Sequence, residues 1–316
     1  MGVLPGGREL GSPDHRIQLS PVIQAGSTAS MRAQNRMLWA TRLELGLIVL
    51  AAVGGMMWGW AGTPFAAALS IVGFAGALVA SGYIARARPE RDWYDGRAAA
   101  ESCKTLAWRY AVGGRPFGIG PGTQREADEA FVAAIRDVIS SLSYVSSVED
   151  AGPQITDDMR ATRALPLQER RSVYERGRIA DQQGWYAAKA AYNARRADRW
   201  KRAILALEFV GLTAGVAAVA GSIAIDFLGV VAAATAAVSA WLQIKQHETL
   251  ARAYSVTAEE LSAIRSLVPH QASERDWADF VDQSEEAVSR EHTLWRASRG
   301  VTAPTGLPLR YTGKPS

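Results

Sequence analysis

Leu45–Ala61, LGLIVLAAVGGMMWGWA, passes through Gly62-Thr63 into Pro64–Ala85, PFAAALSIVGFAGALVASGYIA, without one Asp, Glu, Lys or Arg. A helix rises ~1.5 Å per residue, so each stretch is about long enough to cross a hydrocarbon core of roughly 30 Å. The pattern recurs. Ala203–Ile225 and Phe227–Ile244 are joined at Asp226, and only Glu208 interrupts their apolar run. Lipid offers the backbone no hydrogen bonds, so these segments must be helices. The sequence therefore predicts an all-α membrane protein built from two transmembrane helical hairpins, four spans in all, with long cytoplasmic helical extensions.

The flanking charges orient the hairpins. Arg32, Arg36 and Arg42 precede the first span, and Arg86, Arg88 and Arg91 follow the second. Arg195, Arg196, Arg199, Lys201 and Arg202 precede the third, and Lys245 follows the fourth. The turns Ala61-Gly62-Thr63 and 222–226 carry no basic residue. Basic residues stay on the cytoplasmic side, which predicts both termini inside and both turns outside. Trp39, Trp200 and Trp241 fall at the inner ends and Trp58 and Trp60 near the outer end, at interfacial depths. A mean hydropathy of -0.04 averages greasy spans with charged segments. The net charge of +4 is accounted for by Arg-rich flanks facing an anionic leaflet and calls for no nucleic-acid partner.

Signals for chemistry are missing. His15, His247, His270 and His292 have no second His or Cys at ligand spacing. Gly118, Gly120 and Gly122 sit in a Gly/Pro-rich stretch, but no Lys-Ser/Thr follows, so a phosphate cradle is not expected. Cys103, the one cysteine, shares a helical stripe with Leu106 and Tyr110 and reads as packing. No enzyme, metal or cofactor is expected.

The rest of the chain reads as helices. Residues 1–30 recur in Gly, Pro and Ser and predict a disordered tail. Residues 31–150 form a first two-span domain and 151–299 a second, with a loose tail at 300–316. A seam of four-three spacing runs through Phe131, Ile135, Val138, Leu142 and Val145. Another runs through Leu250, Tyr254, Thr257, Leu261, Ile264 and Val268. Each fits packing within the chain or coiled-coil contact between chains. Residues 167–201 predict one helix running unbroken into the third span.

The soluble segments carry a resemblance. Trp93-Tyr94, Arg97, Ala100-Glu101-Ser102, Lys104, Trp108-Arg109-Tyr110 and Arg115-Pro116-Phe117 resemble the cytoplasmic signature of one class of SLATT domains, the two-span effector domains associated with SMODS and SLOG proteins. Thr156, Met159-Arg160, Arg170-Arg171, Tyr174, Arg178, Gln182-Gln183-Gly184-Trp185-Tyr186, Asn193 and Glu291-His292 resemble a sister class. The resemblance implies two tandem SLATT-type domains acting as a membrane effector of a bacterial conflict or antiphage defence system. It implies a homo-oligomer that opens a pore and depolarises the inner membrane. It also implies a trigger from a nucleotide second messenger or a sensor protein. A non-conducting scaffold and a housekeeping channel or transporter are the alternatives. Within this reading Glu208 and Glu44 are candidate pore or gating acids, because a carboxylate at membrane depth is costly unless it faces protein or water. Gly55 and Gly59, with Gly211 and Gly215, have the small-xxx-small spacing of close helix packing. Trp108, Arg109, Tyr110, Trp185 and Tyr186 are the candidate cytoplasmic signature surface, with packing of a helical bundle as the competing role.

Overall fold

The computed structural model describes residues 17–18, 21–120, 122–140, 152–221 and 227–297, and every regular element among them is helical. The turn at 222–226, the end of the seam at Leu142 and Val145, and the tail at 300–316 lie outside the described residues. Among the described residues, four helices are long and apolar enough to cross a membrane.

Helix α1 spans Pro21–Ala61 and contains the first apolar run. It begins inside the segment expected to be a tail. Pro21 suits a first helical position, where its missing N–H is no loss. The chain reverses at Gly62, whose φ of +62° is the left-handed conformation that glycine adopts without strain. Helix α2, Pro64–Ala87, again opens on proline and stops at left-handed Arg88. Helices α3 (Pro89–Val112) and α4 (Gln124–Ser140) follow.

Helix α5, Asp157–Ala164, starts at Thr156, whose hydroxyl accepts a hydrogen bond from the Met159 N–H at 3.2 Å. Asp157 and Asp158 place negative charge at the positive end of that helix. The helix expected over 167–201 runs on without a break to Val219, with a π-helical segment inside it. Helix α6 (Leu167–Tyr174) passes into a π-helical segment, Glu175–Ala180, before α7 runs from Asp181 to Val219. Helix α8 (Leu228–Lys245) ends at left-handed Gln246, and α9 spans His247–Leu267. Helix α10, Glu274–Ala297, is capped by the Ser273 hydroxyl, which accepts from the Asp276 N–H at 3.1 Å.

The chain divides into two compact units, and neither is contiguous. One holds residues 31–90 and 180–262, with all four spans; the other is built from the described residues of 12–30, 91–179 and 263–316. Both draw on each half of the sequence, so the spatial division differs from the sequential one. The reason is local. Ile155 and Met159 bury against Cys103, Tyr110, Phe117, Phe131 and Ile135, which joins α5 to α3 and α4 in one core.

Candidate functional site

The first hairpin is held by small groups. A Cβ at Gly54 would lie 2.6 Å from the Ser70 nitrogen, and one at Gly73 would lie 2.7 Å from the Ala51 nitrogen. Ser70 Oγ donates to the Ala51 carbonyl at 3.0 Å. The backbones of α1 and α2 therefore nearly touch. The expected pair is one residue out of register. Gly55 faces only Ser70 Oγ, at 3.9 Å from where its Cβ would stand, and Gly59 faces nothing within 4 Å. Close approach selects Gly54 and Gly73 because successive helical positions point about 100° apart. Glu44, at the inner end of this hairpin, accepts a hydrogen bond from Ser81 Oγ at 2.5 Å.

The second hairpin is looser. Gly211 faces Val231 at 3.3 Å and Gly215 faces Leu228 at 3.7 Å, measured from the Cβ each lacks. Glu208 joins Gly211, Val231, Thr235 and Ser239 along an open groove of about 520 Å³ between α7 and α8. No residue in the apolar window of α7 is buried. Leu205, Phe209, Leu212, Val216 and Val219 stand exposed on it.

Beyond the spans, α7 and α9 pack through aromatics. Tyr186 and Tyr254 are buried with ring centroids 5.5 Å apart, and Trp185 meets both edge-on, at 5.0 and 5.7 Å. Lys189 lies 5.6 Å over the Trp185 ring. Tyr254, Thr257 and Leu261 are buried within the chain, so this part of the second seam serves internal packing.

The second unit is built around charge. Arg178, in the π-helical segment, donates from Nε to Glu285 Oε1 at 2.8 Å and from Nη2 to Oε2 at 2.6 Å. Glu285 also accepts from the Tyr174 hydroxyl at 3.0 Å and the Thr105 hydroxyl at 2.9 Å. Burial alone would raise the Glu285 carboxyl; the Arg178 charge and these donors outweigh it and hold it below the usual range. Arg178 Nη1 is buried with no partner.

Two further arginines clamp the glycine-rich loop. Arg163 Nη1 donates to the carbonyls of Tyr110 and Phe117, at 2.9 and 2.7 Å, while its guanidinium lies 5.1 Å over the Tyr110 ring. Arg170 donates to the carbonyls of Val112 and Leu165, at 2.8 and 2.9 Å, and pairs with Glu274. The Val112 carbonyl also accepts from the Trp277 indole N–H at 2.7 Å, so the arginines add to the donors that satisfy acceptors at the end of α3.

Residues 21–171 match the SMODS and SLOG-associating 2TM effector domain 3, and residues 174–295 match the SMODS and SLOG-associating 2TM effector domain 1. The chain belongs to the SLATT family. It is a tandem of two SLATT domains. No characterised protein in the curated collection and no solved structure matches it.

The tandem explains the charge centre. Thr105 comes from the first SLATT domain, while Tyr174, Arg178 and Glu285 come from the second. The first domain thus donates a hydroxyl into the buried ion pair of the second. Most of the expected signature surface lies inside. Trp108, Tyr110 and Tyr186 are buried, and Arg109 pairs with Asp282 at 2.9 Å. Trp185 is half-buried. Each of these side chains packs a SLATT helix, which is the role their size favours. Glu285 was not singled out by sequence, because a lone Glu in a charged amphipathic helix looks solvated. Its i−4 neighbour Val281 and i+3 neighbour Val288, both buried, were the available signal. Burial pushes the Cys103 thiol up to about 11, so it stays protonated and packs as an apolar group. Among the described residues, no cluster of His, Cys, Asp and Glu suits a metal.

Proposed function

We propose that this SLATT tandem is a non-enzymatic membrane effector of a bacterial conflict or antiphage defence system. It lies in the inner membrane with both termini cytoplasmic. It assembles as a homo-oligomer whose spans pass ions and collapse the membrane potential. The trigger comes from a nucleotide second messenger or a sensor protein. The observation that carries the reading is the unburied apolar window of α7 beside a groove containing Glu208. Lipid alone satisfies the apolar side chains, but a carboxylate at this depth requires water or a protein partner. Four spans are too few to ring a wide aqueous path, so a second copy must complete it. Tyr254 and Leu261 are already buried within the chain, which leaves the spans as the surface for assembly.

Purified protein in liposomes carrying a potassium gradient and a voltage-sensitive dye tests the proposal. Protein-dependent depolarisation is the expected result. Vesicles that hold their potential at every protein density, with and without cyclic and linear nucleotide messengers, would favour a non-conducting scaffold.

A further inference from the structure

We propose that Arg42, Arg196 and Lys245 form a binding site for a phosphate group, occupied by an anionic lipid headgroup. The three residues come from α1, α7 and α8 within the span unit. Arg42 and Lys245 gather on one indole. The Arg42 guanidinium lies 5.0 Å from the Trp241 ring centroid, and the Lys245 ammonium lies 5.2 Å from the same centroid. Arg42 and Arg196 are both close enough to Lys245 for their charges to act on it. Arg196 is steadied by Tyr192, which accepts its Nε–H at 3.1 Å and lies under the guanidinium at 5.4 Å.

Three cations this close repel one another unless an anion lies between them. None of the three makes an ion pair with a described residue. The nearest acids in sequence are engaged or turned away. Glu44 takes the Ser81 hydroxyl. Glu248 is held by Lys201 and Arg252. Asp198 is two residues from Arg196, and helical residues at that spacing do not face each other. The cluster has cation–π support from Trp241 and Tyr192 but, among the described residues, lacks a counter-charge. An anion with several acceptor oxygens supplies it, and a guanidinium fork matches a phosphate face.

Depth selects the lipid. Arg42 stands three residues before Leu45, and Lys245 directly follows Ile244, so the cluster sits at the basic ends of three spans. Trp241 is buried there, one turn inside Lys245. Headgroup phosphates lie at this level, and basic pockets between spans are where anionic headgroups dock. The inference is independent of whether the spans conduct.

Native mass spectrometry of the full chain, with phosphatidylglycerol or phosphatidylcholine titrated into detergent, tests the site. Wild type should retain phosphatidylglycerol in preference to phosphatidylcholine. Arg42→Gln and Lys245→Gln should each weaken that retention roughly fivefold, equivalent to about 1 kcal/mol per cation. Arg42 is exposed on a helix, so its variant should fold normally. Arg125→Gln, which removes an equal charge from an exposed pair with Glu129, should change nothing. Equal retention by all three variants and wild type overturns the site. Inorganic phosphate bound by lipid-free protein as tightly as phosphatidylglycerol, and lost in the same two variants, overturns the lipid as its occupant.

Discussion

Arg178 and Glu285 face each other through two hydrogen bonds of 2.8 and 2.6 Å, with side chains only 2% and 0% exposed. Both charges have left water, and each is a large penalty without the other. Arg178 sits in the π-helical segment at the start of the second SLATT domain. A π-helical turn inserts one residue and shifts the faces of the helix that follows. The pair thus fixes which residues of the Tyr174–Ala180 stretch face the shared core.

Removing one partner should therefore be severe and removing both should not. Glu285→Leu strands the Arg178 charge and should destabilise the second unit by about 3–5 kcal/mol. Arg178→Met combined with Glu285→Leu should recover most of that loss. The remaining deficit comes from the Tyr174 and Thr105 hydroxyls, which lose their acceptor. Thermal melts of the detergent-solubilised protein measure both. A double variant no better than Glu285→Leu alone would show that the pair stabilises in its own right.

Acid should loosen the second unit. Glu285 is held low as described, and Asp128 is held low too. Burial of Asp128 works against this, but donors Tyr110, Arg160 and Gln124 prevail. Both carboxyls bind protons more weakly folded than unfolded. Their stabilisation is present above the ordinary carboxylate values of 4.5 and 3.8 and disappears as pH falls through the lower folded values. The melting temperature should be nearly flat from neutrality to about pH 5 and fall below it. Asp128→Asn should lower the neutral plateau and flatten the acid limb.

The spans were legible in the sequence because four long uncharged runs leave few alternatives. The start of α1 was not. Gly26 and Ser30 belong to the composition of a loose tail, yet Ser30 is buried and its hydroxyl donates to the Trp93 carbonyl at 2.9 Å. A Cβ at Gly26 would stand 3.5 Å from the Ala100 Cβ, so the small residues bring α1 against α3. Close packing and disorder favour the same residue types. The π-helical segment was equally silent, because one inserted residue hardly disturbs a four-three pattern. The signature aromatics were visible as a set, but only packing reveals that Trp108 and Tyr110 face inward.

Glycine register gives a direct contrast within one hairpin. Gly54→Ala and Gly73→Ala drive a methyl into backbone, and overpacking of this kind is worth about 1–3 kcal/mol. Gly55→Ala meets only the Ser70 Oγ, at an ordinary contact of 3.9 Å, and Gly59→Ala meets open space, so both should be neutral or slightly stabilising through helix propensity. Yield of folded protein after detergent extraction, followed by a melt, separates the two classes. Equal loss for Gly54→Ala and Gly59→Ala would contradict the α1–α2 contact.

Orientation is checked with single cysteines. In a Cys103→Ala background, Gly62→Cys in the α1–α2 turn should react with an impermeant maleimide added to spheroplasts. Ala127→Cys in α4 should react only after lysis if, as proposed, the basic flanks mark the cytoplasmic side. The opposite labelling pattern would invert the proposed topology.

Glu208 and Glu44 separate a conducting role from a structural one. Glu44 already has a partner in Ser81, whereas Glu208 lines the α7–α8 groove with Thr235 and Ser239. A carboxylate in a low-dielectric groove concentrates cations, so neutralising it should weaken cation preference. Glu208→Gln should reduce cation over anion permeability in proteoliposomes severalfold while leaving expression and melting temperature unchanged. Glu44→Gln keeps an acceptor for the Ser81 hydroxyl and should leave selectivity intact. If Glu208→Gln lowers stability and spares selectivity, the acid is a packing element of the hairpin and the conducting path lies elsewhere.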